Sequence, residues 1–397
     1  ATSTGIFDER FRTLRVDAGA LGYPPVINPG SDDYVEISFD ELADERSYLR
    51  YKVVHCNADW QPSRLVDSQV LEGFNEGIIE NYEYSRMAYT RYVHYSLRLP
   101  DEKFQFKVSG NYLLQIFREE DMTEPIIQQR IMVNEGVASV GGTILFATDV
   151  DYRSRHQQLE VEVDTEKARV DDPFNELTLV ISQNGRTDNQ VSLQHPLRVD
   201  GRRAVYAHQP ELIFPAGNDY RRFESISTTV PTSGVEIVEF QEPYYRAYLT
   251  TDLPRNDQSY FYDLNLHGNY VVRERDSDDP DIDADYMVTY FALEMPPLLN
   301  GGDVFIEGDL TNRRLDSSSR MTYNQSEGRY EKALLLKQGA YSYQYLVANA
   351  GNSPAVSATQ PIEGDQYETR NQYIVAAYHH DRFMHYDRLI GFTILTF

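Results

Sequence analysis

The chain has 397 residues, which at roughly one domain per 150 residues gives room for two or three domains with ordinary cores. A small disulfide-stapled scaffold is excluded, because there is a single cysteine. The formal net charge of -25 would repel phosphate backbones and anionic lipid, so nucleic acid is excluded as a partner while a cationic patch on another protein is not.

No window approaches the ~18 apolar residues of a membrane helix, so no direct membrane insertion is expected. The chain starts at Ala1 rather than Met, as a removed signal peptide would leave it, and as recombinant expression would too.

The first strand signal is "VEISF", where Val35, Ile37 and Phe39 alternate with Glu36 and Ser38. "YLRYKVVHC" (48–56) reads as a strand that ends at Cys56. A turn follows, held by Asn57 and Asp59 and covered by the Trp60 ring. Phe104, Phe106 and Val108 alternate in "FQFKV", Leu159, Val161 and Val163 in "LEVEVD", and Tyr341, Tyr343 and Tyr345 in "YSYQY". Turn signals separate these runs at 28–33 (NPGSDD), 109–111 (SGN), 183–185 (QNG), 215–219 (PAGND) and 300–302 (NGG), where Gly and Asn supply positive φ.

No long amphipathic helical stretch intervenes, and short strands at this spacing predict an all-β chain of serial antiparallel sandwiches. One boundary is expected near 133–139. A second is expected at 294–302, where Pro296 and Pro297 cannot continue a paired ladder. The expected domains are therefore 1–135, 136–297 and 298–397. The acidic run "RDSDDPDIDAD" (275–285) reads as a solvated loop inserted in the second.

No G-x-S-x-G elbow, H-E-x-x-H helix, phosphate loop or paired C-x-x-C occurs. Glycosidase carboxylates carry no short signature, so that chemistry stays open on sequence alone. Asp279, Asp281, Asp283 and Asp285 alternate as calcium ligands do. A helix-loop-helix calcium site also needs Gly at its sixth position and Glu at its twelfth, and the chain has Ala284 and Tyr290, or Tyr286 and Ala292. The solvated loop is preferred.

His379, His380, His385, Asp381 and Asp387 offer transition-metal ligands, but on a strand His379 and His380 point to opposite faces. His55 and Cys56 are split the same way, which separates a thiol from its base. Neither a metal nor any other cofactor is expected.

"HCNADWQPSRL" (55–65), "YTRYVHYSLRLP" (89–100), "SGNYLLQIF" (109–117) and "QQRIMVNE" (128–135) resemble the first module of the plug protein family of the bacterial type IX secretion system. The resemblance continues in order through "HQQLEVEV" (156–163), "VISQNGR" (180–186), "FPAGNDYRRFE" (214–224), "DADYMVTYFAL" (283–293), "GDQYETRNQY" (364–373) and "YDRLIG" (386–391). It implies tandem immunoglobulin-like sandwiches, a periplasmic location after signal-peptide removal, no catalytic role, and a partner in the large outer-membrane translocon barrel whose periplasmic mouth the protein closes. A small-molecule ligand is not implied. The motif residues His55, Cys56, Asn57, Asp59, Trp60, Gly110, Asn111, Tyr112, Gln183, Asn184, Gly185, Asp387 and Arg388 are expected to be structural.

Residues 303–347 are in addition similar to early-set sandwich modules, some of which bind starch and glycogen, and this supplies the alternative of a cell-envelope carbohydrate-binding protein. Such modules usually carry a tryptophan after the "GD-x-x-N" turn. This chain has Arg313 there, leaving Tyr323, Tyr341 or Tyr343 as ring faces if they are not core.

Overall fold

The computed structural model describes residues 2–299, 301–349 and 357–397. Its regular structure is nearly all β, in two-layer sandwiches around three apolar cores.

In the first sandwich, Leu49–Cys56, Gly110–Arg118 and Ile127–Val133 form the centre of one sheet, and Phe11–Asp17, Val35–Glu41, Val93–Leu99 and Asn81–Tyr84 form the other. The alternation in "VEISF" buries Val35, Ile37 and Phe39 fully, and Phe39 stacks on Tyr95 at 5.3 Å. "FQFKV" departs from expectation, since only Gln105–Phe106 is a strand and it pairs with Leu71–Glu72. Here Phe104 and Phe106 pack on the rings of Tyr51 and Tyr112, so side-chain burial rather than a long ladder orders the segment.

The chain crosses into the second sandwich at 134–138, where Glu135 and Ala138 donate backbone hydrogen bonds to Leu389 and Ile390. Ser139–Leu145, His156–Asp164 and Arg203–Tyr206 lie in one layer. Leu177–Gln183 pairs with Tyr373–Asp381, which pairs with Tyr386–Leu395, in the other. The second core is thus completed by the last strands of the chain, with Tyr373, Val375, Ala377 and Ile390 packed against Leu159, Leu179 and Ile181.

The stretch from Arg221 to Ile362 forms the third sandwich, whose core runs from Phe223 to Ile362. The expected division at 297/298 is therefore corrected: Tyr286–Glu294 pairs directly with Arg329–Lys337 across it, and Arg221–Glu224 pairs with Gly339–Ala348. Pro296 and Pro297 end one strand, but a proline pair interrupts a ladder only locally, and the chain re-enters the same sandwich. Asn300 of the expected 300–302 turn lies outside the described residues, and Gly301 has a φ of 70°.

Since a fragment 298–397 carries only part of each of two different cores, it is expected to stay unfolded by circular dichroism and amide dispersion. A cooperatively melting fragment would contradict this division.

Candidate functional site

The turn at 57–61 is built as its residues dictate. Trp60 adopts a φ of 62°, its N–H reaches the Asn57 carbonyl at 2.9 Å, and Asp59 accepts from the Gln61 N–H at 2.9 Å. Strand alternation sends His55 and Cys56 to opposite faces. Cys56 packs with Trp60 and Leu113, and burial pushes its thiol up to about 11. His55 sits edge-on to Tyr112 and Tyr386; its Nε2–H donates to the Ser109 carbonyl at 2.9 Å, and its Nδ1 meets Ser63 Oγ at 2.8 Å. Burial lowers its pKa, so the ring is a neutral spacer. A thiol held protonated and a base on the far face do not make a nucleophile.

The motif residues instead bolt the first sandwich to the last hairpin. Asp387 Oδ2 accepts from the Ala58 N–H at 3.0 Å, and the Asp387 N–H returns to Asn57 Oδ1 at 3.1 Å. Asn111 donates to the Asn57 carbonyl at 3.0 Å and accepts from the Tyr378 hydroxyl at 2.7 Å. Arg388 grips Glu135 in two bonds, at 2.6 and 3.0 Å, and donates to His379 Nδ1, which leaves the His379 Nε2–H for Glu176 at 3.0 Å. Gly110 allows this closeness, since a Cβ there would lie 2.6 Å from His55 Nε2 and its φ is 126°. Tyr112 is core, its hydroxyl donating to the Val108 carbonyl at 2.7 Å.

The acidic run overturns the solvated-loop expectation. Pro280–Asp283 forms one helical turn docked on the first sandwich, where Asp281 pairs with Arg15 at 2.6 Å, Asp283 with Arg86 at 2.8 Å, and Asp285 accepts the backbone N–H groups of Tyr89 and Thr90. These carboxylates face cations and amides instead of one another, and Asp279 stands apart at the start of the turn. Beneath them Asp40 is fully enclosed, accepting from Lys337 at 2.7 Å, Tyr286 at 2.6 Å and His94 at 2.7 Å. Burial raises the Asp40 pKa, but the charge of Lys337 and the hydrogen bonds outweigh it, and the group stays below the ordinary carboxylate range. None of Arg15, Asp40 or Lys337 was singled out in the sequence, because no local pattern marks a partner some 300 positions away.

Within the second sandwich, Asn184 joins Asn371 at 2.8 Å, and Gln183 reaches the Pro215 carbonyl at 2.9 Å and the Tyr373 hydroxyl at 3.1 Å. Gly185 completes the turn with a φ of 72°. Glu363, without solvent exposure, binds Arg221 at 2.6 Å and Arg255 at 2.9 Å. Arg313, in the place of the sugar-stacking tryptophan, is buried against Glu307 at 2.7 Å and Asp309 at 2.8 Å. Tyr341 and Tyr343 are 2% and 3% exposed, so their faces belong to the core and do not offer a stacking platform.

His380 turns outward to Asp387 while His379 turns inward to Glu176, so the histidines do not converge. Among the described residues no group of three His, Cys, Asp or Glu side chains is placed to hold a metal ion, and no helix is long and apolar enough to cross a membrane. A cleft of about 860 Å³ opens where the three sandwiches meet, walled by Trp60 and Arg130 from the first, Tyr378 from the second and Tyr270 from the third.

Residues 12–135 match the family model described as the first domain of the type 9 secretion system plug protein. The solved structure of a hypothetical protein from Parabacteroides merdae is similar over 100% of this chain and 99% of that one, at 37% identity and a TM-score of 0.97. An alkylpurine DNA glycosylase from Pseudomonas fluorescens bound to abasic-site DNA (9% identity, 31% of this chain and 30% of that one, TM-score 0.18) shares too little geometry to bear on the chain. The same holds for a serine-rich repeat adhesion glycoprotein from Streptococcus agalactiae (7% identity, 98% and 97%, TM-score 0.12). No curated protein matches.

Gly110→Ala combines a left-handed φ with a clash against His55, and is expected to lower unfolding free energy in urea by about 2–5 kcal/mol. A loss under about 1 kcal/mol would show that the turn and the hairpin can part cheaply. At Asp281, burial raises the carboxyl pKa while the charge and hydrogen bond of Arg15 lower it further, for a net value below the usual 3.8. Its contribution is therefore complete above about pH 4 and is lost as pH falls through the depressed folded value. Asp281→Asn should melt earlier than the parent chain at pH 7 and converge with it in strong acid. A gap independent of pH would contradict the ion pair.

Proposed function

Because the chain belongs to the plug protein family of the type IX secretion system, we propose that it is a non-enzymatic periplasmic plug that binds and closes the periplasmic opening of the outer-membrane translocon. The family is one of secretion components rather than of enzymes, and membership implies association with the outer-membrane part of that system. The family match carries this reading.

Physical construction supports it. A stopper for a wide pore must not fold back under osmotic or cargo pressure, and here the three sandwiches are tied pairwise, the first to the third by the buried Asp40–Lys337 ion pair and the second to the first and to the third by side-chain hydrogen bonds from Tyr378 to Asn111 and from Arg186 to Ser357. On this reading a body at -25 would be steered into register before contact if the translocon rim is positive. The histidine and cysteine of the opening motif are spent on packing, in keeping with a structural use of that motif.

The test is conductance of the purified translocon in a planar bilayer, with this chain added on the periplasmic side. Ion and small-solute flux should fall with saturation, and the association rate should decrease from low to high salt. Flux unchanged at saturating chain would overturn the plug reading, whereas a salt-independent rate would remove only the steering.

A further inference from the structure

The cleft between the three sandwiches contains a cation that no carboxylate among the described residues neutralises. Arg186, Arg221, Arg313 and Arg388, all largely buried, each hold a carboxylate at 2.6 to 2.7 Å. Arg130 has none among the described residues: its Nε–H donates to the Thr2 carbonyl at 2.8 Å, and its guanidinium lies 4.4 Å from the Trp60 ring centre. Burial without a counter-charge pushes it down to about 10. In a chain with 62 acidic and 37 basic residues, such a cation is costly to keep without a partner.

The acids along the cleft do not supply that partner. Every carboxylate lining it except Asp17 already belongs to an ion pair, and Asp17 accepts the Gly19 N–H. Next to Arg130 on the same strand face, Met132 packs with Val180, Ala376 and Tyr378, which makes an apolar strip beside the charge. The remaining wall is rich in amides. Those of Gln190, Asn312 and Gln372 form no hydrogen bond among the described residues, and an amide offers a peptide backbone one donor and one acceptor without charge.

We propose that this cleft binds an extended peptide segment carrying a carboxylate beside an apolar side chain, with Arg130 holding the carboxylate, the Met132 strip the apolar group, and the free amides the backbone. A volume of about 860 Å³ fits a short segment rather than a single ion. The inference does not depend on the plug reading, since it rests on the residues of the cleft itself.

Trp60 is the only tryptophan and touches Arg130, so its emission reports on this site alone. The full chain is titrated with N-acetyl-leucyl-aspartate N-methylamide, with the same compound bearing asparagine, and with inorganic phosphate. The aspartate probe should give a saturable change, at least tenfold weaker for the asparagine probe and for the aspartate probe on Arg130→Gln; phosphate should not saturate. Should Arg130→Gln fail to fold, Gln190→Glu with Gln372→Glu should weaken the aspartate probe at least threefold more than the asparagine one, since both lose backbone amides but only the first meets added negative charge. Equal binding of the two probes, no saturable change, indifference to the variants, or saturation by phosphate alone would overturn the proposal.

Discussion

Lys337 and Asp40 are 2.7 Å apart with 0% and 1% of their side chains exposed, and the arrangement of the sandwiches depends on that pair. An ion pair taken wholly out of water repays its desolvation only when its remaining hydrogen-bonding capacity is met, and losing one member costs about 3–5 kcal/mol. Asp40 comes from the first sandwich and Lys337 from the third, so separating the two bodies strands both charges at once. The surrounding groups follow from the same demand: Tyr286 and His94 complete the carboxylate, and the Tyr92 ring lies 4.2 Å from the ammonium. Around this dry centre sits a wetter ring of Arg15–Asp281 and Arg86–Asp283, which fixes direction more than it adds energy.

The chain's return adds a topological constraint to the electrostatic one. Because Tyr373–Asp381 and Tyr386–Leu395 complete the second core, the third sandwich is inserted into the second and held at both ends. The returning hairpin also carries Asp387 and Arg388, the groups that grip the first sandwich. One hairpin therefore closes a core and fastens a junction, which is why "YDRLIG" near the C-terminus and "HCNADWQP" near the N-terminus come together.

The strands and the opening turn were legible because their causes are local. Alternation in "VEISF" and "LEVEVD" records one buried face, and Asn57, Asp59 and Trp60 carry the turn they form. The opposite facing of His55 and Cys56 followed from the strand period alone. What could not be read was pairing at long range. "DSDDPDIDAD" has the composition of a solvated loop, and only the arginines and amides of a distant sandwich turn it into a clamp. Pro296 and Pro297 mark a strand end in any sequence, but whether the next strand stays in the same sheet is decided by Arg329–Lys337. Arg130 has no local signal either, since its defining property is a missing partner.

Three cores are fused by buried contacts into one rigid body. Scanning calorimetry of the full chain tests this most directly, by comparing the measured enthalpy with that inferred from the sharpness of the transition. One endotherm is expected, with the two enthalpies equal, split into separable transitions by Lys337→Ala. Two or three independent endotherms in the unaltered chain would contradict it, for the sandwiches would then be neighbours on a string and not one body.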